Sequence, residues 1–260
     1  MRTLAAVVFT TILHAQVWAT VESKIVNYHD GEVQLEGYLA WNTESSQDGP
    51  APGVLVVHQW MGLTDYEKSR CNQLAELGYV AFALDIYGKG VRPANTQEAG
   101  QLSGSYKNDR SLYRRRLNLG LEQLRSQANV SQTDLAAIGY CFGGTGVIEL
   151  ARSGAKVKGV VSFHGGLDSP APEDGKNISA KLLICHGADD PFVPLSDINA
   201  MIQELNAASV DWQMISYAGA VHSFTQPMAG NDNSRGAAYN EKADKRSWVA
   251  MQSFFKEIFE

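Results

Sequence analysis

At 260 residues the chain is long enough to bury one large core. Its 44% hydrophobic and 19% charged residues, with 24 glycines and 8 prolines, exclude disorder as the dominant state. The formal charge of -6, from 22 basic and 28 acidic residues, argues against nucleic acid as a partner.

Arg2, the apolar stretch Leu4 to Leu13, and small residues at Val17 and Ala19 read as a signal peptide over residues 1–19, cleaved after Ala19. Residues 20–260 are then the mature domain, exported to a periplasm or out of the cell. No later stretch approaches a transmembrane length, so no membrane association is expected once the leader is removed. Lys24 to Trp41 carries strand formers on either side of His29-Asp30-Gly31, which predicts a β-hairpin. Gly53 to Val57 is a β-branched run of the kind buried on both faces of a parallel sheet. Helix Asp65–Leu77 and strand Tyr79–Leu84 follow. Asp85 to Asn108 reads as a Gly- and Pro-containing loop with one helical turn.

Tyr113, Leu117, Leu121 and Leu124 mark an amphipathic helix, on which Arg114-Arg115-Arg116 reads as a solvated face. Strand Leu135–Gly139, helix Thr145–Ala151, strands Gly159–Phe163 and Leu182–Cys185, helix Ser196–Ala207, strand Asp211–Tyr217 and a helix from about Ala238 to Phe259 complete the order. Such alternation predicts one α/β domain with a mostly parallel sheet, helices on both faces and an N-terminal β-hairpin. In these sheets ligands sit beyond the carboxyl ends of the strands.

Gly139-Tyr140-Cys141-Phe142-Gly143-Gly144 stands at such an end. It has the nucleophile-elbow form G-x-nucleophile-x-G, with cysteine in place of serine. Side chains at the flanking glycines would collide with neighbouring strand and helix, and the turn points the Phe142 N–H at a reacting carbonyl. The following helix adds the positive end of its dipole beside a thiolate. Three cysteines are an odd number, so Cys141 is left over even if Cys71 and Cys185 pair. In this fold an acid and then a histidine should follow the nucleophile. Asp189 and Asp190 both follow the strand ending at Cys185, and His222 precedes the last helix. His58 precedes the elbow; His164 and His186, at strand ends, suit packing.

These segments resemble the dienelactone hydrolase family of the α/β-hydrolase fold from about Ile25 to the C-terminus. The residues that carry the resemblance are Gly139 to Gly144, Gly187-Ala188-Asp189-Asp190-Pro191-Phe192-Val193-Pro194, His222-Ser223-Phe224 and Leu84-Asp85-Ile86-Tyr87-Gly88. The resemblance implies hydrolysis of a small ester or lactone through Cys141, His222 and Asp190, with no metal or organic cofactor. It selects Asp190 over Asp189 and maps the second oxyanion N–H to Trp60, beside that of Phe142. It places Gln59, Tyr87, Lys89 and Phe224 in the substrate pocket, the protein being a monomer or homodimer. Gln59 stands where the family usually has a glutamate against the resting thiol. Lys89 and Gln226 stand where dienelactone-cleaving members have arginines. The chemistry thus transfers better than the substrate. Rival readings are a thioesterase or acyl hydrolase on the same residues and a non-catalytic binding protein. A redox thiol protein lacks its C-x-x-C.

Overall fold

A computed structural model describes residues 20–44 and 49–260, so the expected leader lies outside the described residues. Strands β1 (Val21–Asp30) and β2 (Val33–Asn42) form the hairpin, turning at Gly31 with φ +59°, a conformation that favours glycine. β2 runs antiparallel to β4 (Val80–Ala83). From β4 onward, β3 (Ala51–Val57), β5 (Val130–Tyr140), β6 (Gly159–Phe163), β7 (Lys181–Gly187) and β8 (Trp212–Tyr217) pair in parallel. The eight strands lie in the order β1-β2-β4-β3-β5-β6-β7-β8. This is the mostly parallel sheet expected, extended by the hairpin.

Helices cover both faces, and β3 explains why its residues are apolar throughout. Leu55 and Val57 belong to one core with Leu117, Leu121 and Leu124 of α3 (Arg110–Arg125), Val147 and Ile148 of α4 (Phe142–Arg152), and Leu205 of α5 (Leu195–Ala207). Val54 and Val56 belong to the other core, with Leu74 of α1 (Asp65–Glu76) and Met251 and Phe255 of α6 (Glu241–Phe259). Each such buried side chain contributes about 1.5–3 kcal/mol. α6 starts at Glu241 rather than near Ala238 because Asn240 Oδ1 accepts the Ala243 N–H at 3.1 Å, capping the helix there.

Two expectations are corrected. The loop expected over 85–108 contains α2 (Thr96–Asn108). Its apolar pattern is sparse and Gly100 and Gly104 interrupt it. Asn95 nonetheless caps it, its Oδ1 accepting the Glu98 N–H at 2.9 Å. The arginine run is not a solvated face. Arg116 is buried and lies 2.9 Å from Asp30, and Arg114 pairs with Glu149 at 2.8 Å and Asp174 at 2.6 Å. Only Arg115 of the three is largely exposed, its side chain 59% accessible. Successive helical residues point about 100° apart, so a run of three cannot share one face. Cys71 on α1 and Cys185 on β7 are buried free thiols, not a disulfide.

Beneath α4 lies a buried ion cluster. Arg152 donates to Glu149 Oε1 at 2.8 Å and to both oxygens of Glu204 at 2.8 and 2.7 Å. All three side chains are essentially inaccessible to solvent.

Candidate active site

Three parallel strands deliver the candidate residues to one end of the sheet. Cys141 follows β5 directly, Asp190 lies three residues beyond β7, and His222 five residues beyond β8. Cys141 has φ 55° and ψ -115°, and α4 begins at the next residue, earlier than the sequence pattern places it. A non-glycine residue held there stores about 1–3 kcal/mol of strain. Neighbouring backbone enforces it: a Cβ at Gly139 would lie 1.9 Å from Gly143 O, and one at Gly143 would lie 2.2 Å from Val57 O. The Cys141 N–H is held by Phe163 O at 3.0 Å and His164 Nδ1 at 3.1 Å.

His222 Nε2 lies 3.1 Å from Cys141 Sγ, and its Nδ1 lies 2.8 Å from Asp190 Oδ2. Asp190 Oδ1 accepts the Phe192 N–H at 2.9 Å, so both carboxylate oxygens are engaged. Asp189, by contrast, is exposed. Because the Asp190 carboxylate only accepts, His222 Nδ1 carries a proton and Nε2 faces the sulfur. Burial pushes the Cys141 thiol up. The charge and hydrogen bond of His222, with the N–H groups of Phe142 and Trp60, outweigh it and bring the thiol below its ordinary value. Burial lowers His222, but the opposing Cys141 and Asp190 charges raise it to about 10. The pair therefore favours thiolate and imidazolium.

Removing the imidazole leaves burial opposed only by the N–H groups of Phe142 and Trp60. In His222→Ala, iodoacetamide should therefore alkylate Cys141 only at a higher pH than in the wild type. Coincident pH–rate curves would refute this account of the thiol.

The loop bearing the Trp60 N–H is braced from behind. Tyr87 Oη donates to Trp60 O at 2.9 Å. His58 Nδ1 lies 2.6 Å from Gln59 O, an acceptor, while His58 Nε2 accepts the Ile86 N–H at 3.2 Å. His58 is thus neutral with its proton on Nδ1, and burial lowers it to about 4. Glu67 accepts the Gln59 N–H at 3.2 Å and closes the capping box of α1. Phe142 stacks on Tyr113 at 4.6 Å, and Tyr113 Oη donates to Phe142 O at 2.7 Å.

Not every residue expected in the pocket reaches it. Lys89 points to the hairpin, pairing with Glu36 at 2.8 Å and Asn27 Oδ1 at 2.8 Å, because Gly88 turns the chain there with φ +133°. Phe224 is fully buried in the core, edge-on to His164 at 5.0 Å. Tyr87 is buried, its hydroxyl donating to Trp60 O. Gln59 lines a cavity beside the one onto which Cys141 and His222 open. Residues that the sequence pattern did not single out do line that second cavity: Ser103 and Lys107 from α2, and Arg235. Asn95 with Glu98 three residues on is the capping signal that would have found α2.

The dienelactone hydrolase family model matches residues 35–259. A solved structure described as m3DLH is 39% identical with a TM-score of 0.88, covering 92% of this chain and 99% of its own. A second, described as the dienelactone hydrolase-like promiscuous phosphotriesterase P91 from metagenomic libraries, is 38% identical with a TM-score of 0.87. It covers 94% of this chain and 100% of its own. A protein of Synechocystis sp. provisionally named carboxymethylenebutenolidase is 26% identical over 249 residues, 91% of this chain and 97% of that one. With a family match over nearly the whole described domain, the chain is a hydrolase that belongs to the dienelactone hydrolase family.

Proposed function

We propose that this protein cleaves carboxylic esters and lactones by nucleophilic catalysis, with Cys141 as nucleophile, His222 as base and Asp190 as the acid that orients it. The observation that carries the reading is the continuous contact from Asp190 through His222 to Cys141 Sγ, at 2.8 and 3.1 Å. Family membership supports the ester or lactone as substrate class. The thiolate attacks the carbonyl carbon while the N–H groups of Phe142 and Trp60 receive the developing oxyanion. His222 passes the proton taken from Cys141 to the departing alcohol oxygen, leaving an acyl-thioester. A water deprotonated by His222 then attacks the thioester, and the proton returns to the sulfur as the acid leaves.

Rapid mixing with p-nitrophenyl acetate should give a burst of p-nitrophenol, and quenched protein should carry one acetyl group on the Cys141 peptide. Steady turnover with neither burst nor label, under conditions where deacylation limits, would overturn the acyl-enzyme. Leader removal after Ala19 belongs to the same reading, and N-terminal sequencing of exported protein should begin at Thr20.

A second activity is favoured by the 38% identity to P91, described as a promiscuous phosphotriesterase. A thiolate facing two N–H donors suits attack at a phosphoryl centre as well as at carbon. Slow release of p-nitrophenol from a dialkyl p-nitrophenyl phosphate is expected, and turnover no greater than that of Cys141→Ala would remove this second activity.

A further inference from the structure

Among the described residues, four that are not glycine have positive φ, and three of them stand at the site. These are Cys141 at 55°, His164 at 41° and Ser223, next to His222, at 57°. Such conformations persist only where surrounding contacts over-determine them. The His164 side chain supplies contacts to both of the other two turns.

His164 follows β6 directly and is fully buried. Its Nδ1 accepts the Cys141 N–H at 3.1 Å, so Nδ1 carries no proton of its own. The ring proton is therefore on Nε2, which donates to Thr225 Oγ1 at 2.8 Å. Thr225 lies three residues beyond His222 and is itself 1% exposed. One imidazole thus joins the backbone of Cys141, at the end of β5, to the segment that carries His222, after β8. Phe163 O also accepts the Cys141 N–H, at 3.0 Å, but that bond extends the β5–β6 pairing and reaches only the Cys141 side.

The far end of the bridge is anchored in turn. Thr225 Oγ1 lies 2.7 Å from Tyr66 Oη on α1, and Thr225 O accepts from Arg70, also on α1, at 3.3 Å. Arg70 pairs with Asp244 of α6 at 2.6 Å. Two helices therefore hold Thr225 in place. The bridge also keeps one protonation state. Burial, then the charge of His222 packed edge-on at 5.3 Å, then Arg70, hold His164 well below the ordinary histidine range. His164 stays neutral while His222 carries the proton, and its Nδ1 remains an acceptor.

We infer that His164 is a positioning residue: by tying the Cys141 N–H to Thr225 it sets, from behind the site, the distance between Cys141 Sγ and His222 Nε2. The inference rests on the Cys141–His222 reading above and adds the group that holds the pair together. His164 acts through two backbone segments and not on the substrate.

Two variants break the bridge at opposite ends. His164→Asn suits the left-handed backbone and keeps an acceptor for the Cys141 N–H, but its side chain is too short to reach Thr225. Thr225→Val keeps the shape of threonine and removes the hydroxyl that accepts from Nε2. Each should lower kcat for p-nitrophenyl acetate by about tenfold to a hundredfold with KM changed less than about twofold, the scale of a small misplacement of reacting groups. In each, the midpoint of Cys141 alkylation by iodoacetamide should move to higher pH, because a displaced His222 stabilises the thiolate less. The double variant should be no slower than the slower single one, since both remove the same link. Arg152→Ala, at the opposite end of α4 from Cys141, is the control for lost stability and should leave the midpoint unmoved. Wild-type kcat and midpoint in either folded single variant, or losses that multiply in the double, would overturn the assignment even where Tm falls. Alkylation needs no ester, so it judges the bridge apart from the ester-cleaving reading. That reading fails on a different result, the absence of Cys141-dependent hydrolysis in the wild type.

Discussion

Cys141→Ala is expected to lower kcat/KM for p-nitrophenyl acetate by about 10⁴-fold or more, with the fold and melting temperature little changed. Where nucleophile, base and acid act as a unit, removing the nucleophile costs about as much as removing all of them, and what survives comes from oxyanion binding alone. Here the geometry concentrates the chemistry on one atom. Sγ is the point on which His222 and the N–H groups of Phe142 and Trp60 converge. Alanine keeps the backbone turn at φ 55°, because Gly139 and Gly143 let the strand and helix close around it whatever side chain position 141 carries. Asp190→Asn should be milder in form, since the amide can donate to His222 and set the wrong tautomer. It should lower kcat while leaving Cys141 open to alkylation. Retained activity in Cys141→Ala, measured after removing contaminating host esterases, would refute the nucleophile assignment.

Arg152→Ala is expected to destabilise the protein by about 3–5 kcal/mol, since it leaves Glu149 and Glu204 as buried carboxylates with their shared partner gone. For a domain of this size that corresponds to a fall in Tm on the order of 10 °C. Glu149 retains Arg114 at 2.8 Å, so the loss should fall mainly on Glu204, which the guanidinium holds with two hydrogen bonds. Arg115→Ala is the control within the same residue type. Its guanidinium pairs with Asp30 at 2.9 Å but is 59% exposed, and an exposed pair contributes about 0–1 kcal/mol. Equal thermal shifts in the two variants would show that burial does not set the cost.

The central strands were legible because burial on both faces leaves a continuous signal: Gly53 to Val57 has no polar residue to interrupt it. The elbow was legible because its glycines stand at fixed spacing about Cys141, where the Gly143 backbone bars a side chain at Gly139 and the Val57 backbone of the neighbouring strand bars one at Gly143. α2 left a weaker trace. Its cap is local, but its buried residues, Ala99, Ser103 and Tyr106, are too few and too mixed to show a helical period. The missed helix carries Ser103 and Lys107 into the cleft, so an error in secondary structure became an omission in the site.

Residue order alone determined the parallel α/β architecture, the place of Cys141 at a strand end, and the order Cys141, Asp190, His222 along the chain. Strand alternation and a tight elbow are consequences of short-range sterics and burial, which the local pattern records. Tertiary structure alone decided that Lys89 turns to the hairpin and that Phe224 packs in the core. It also showed that the arginine run is divided between buried pairs and solvent. These outcomes depend on where side chains distant in sequence converge. The elbow, a feature of adjacent residues, was therefore readable, while the cleft around it, assembled from α2, the Gln59–Glu67 loop and the segment after His222, was not.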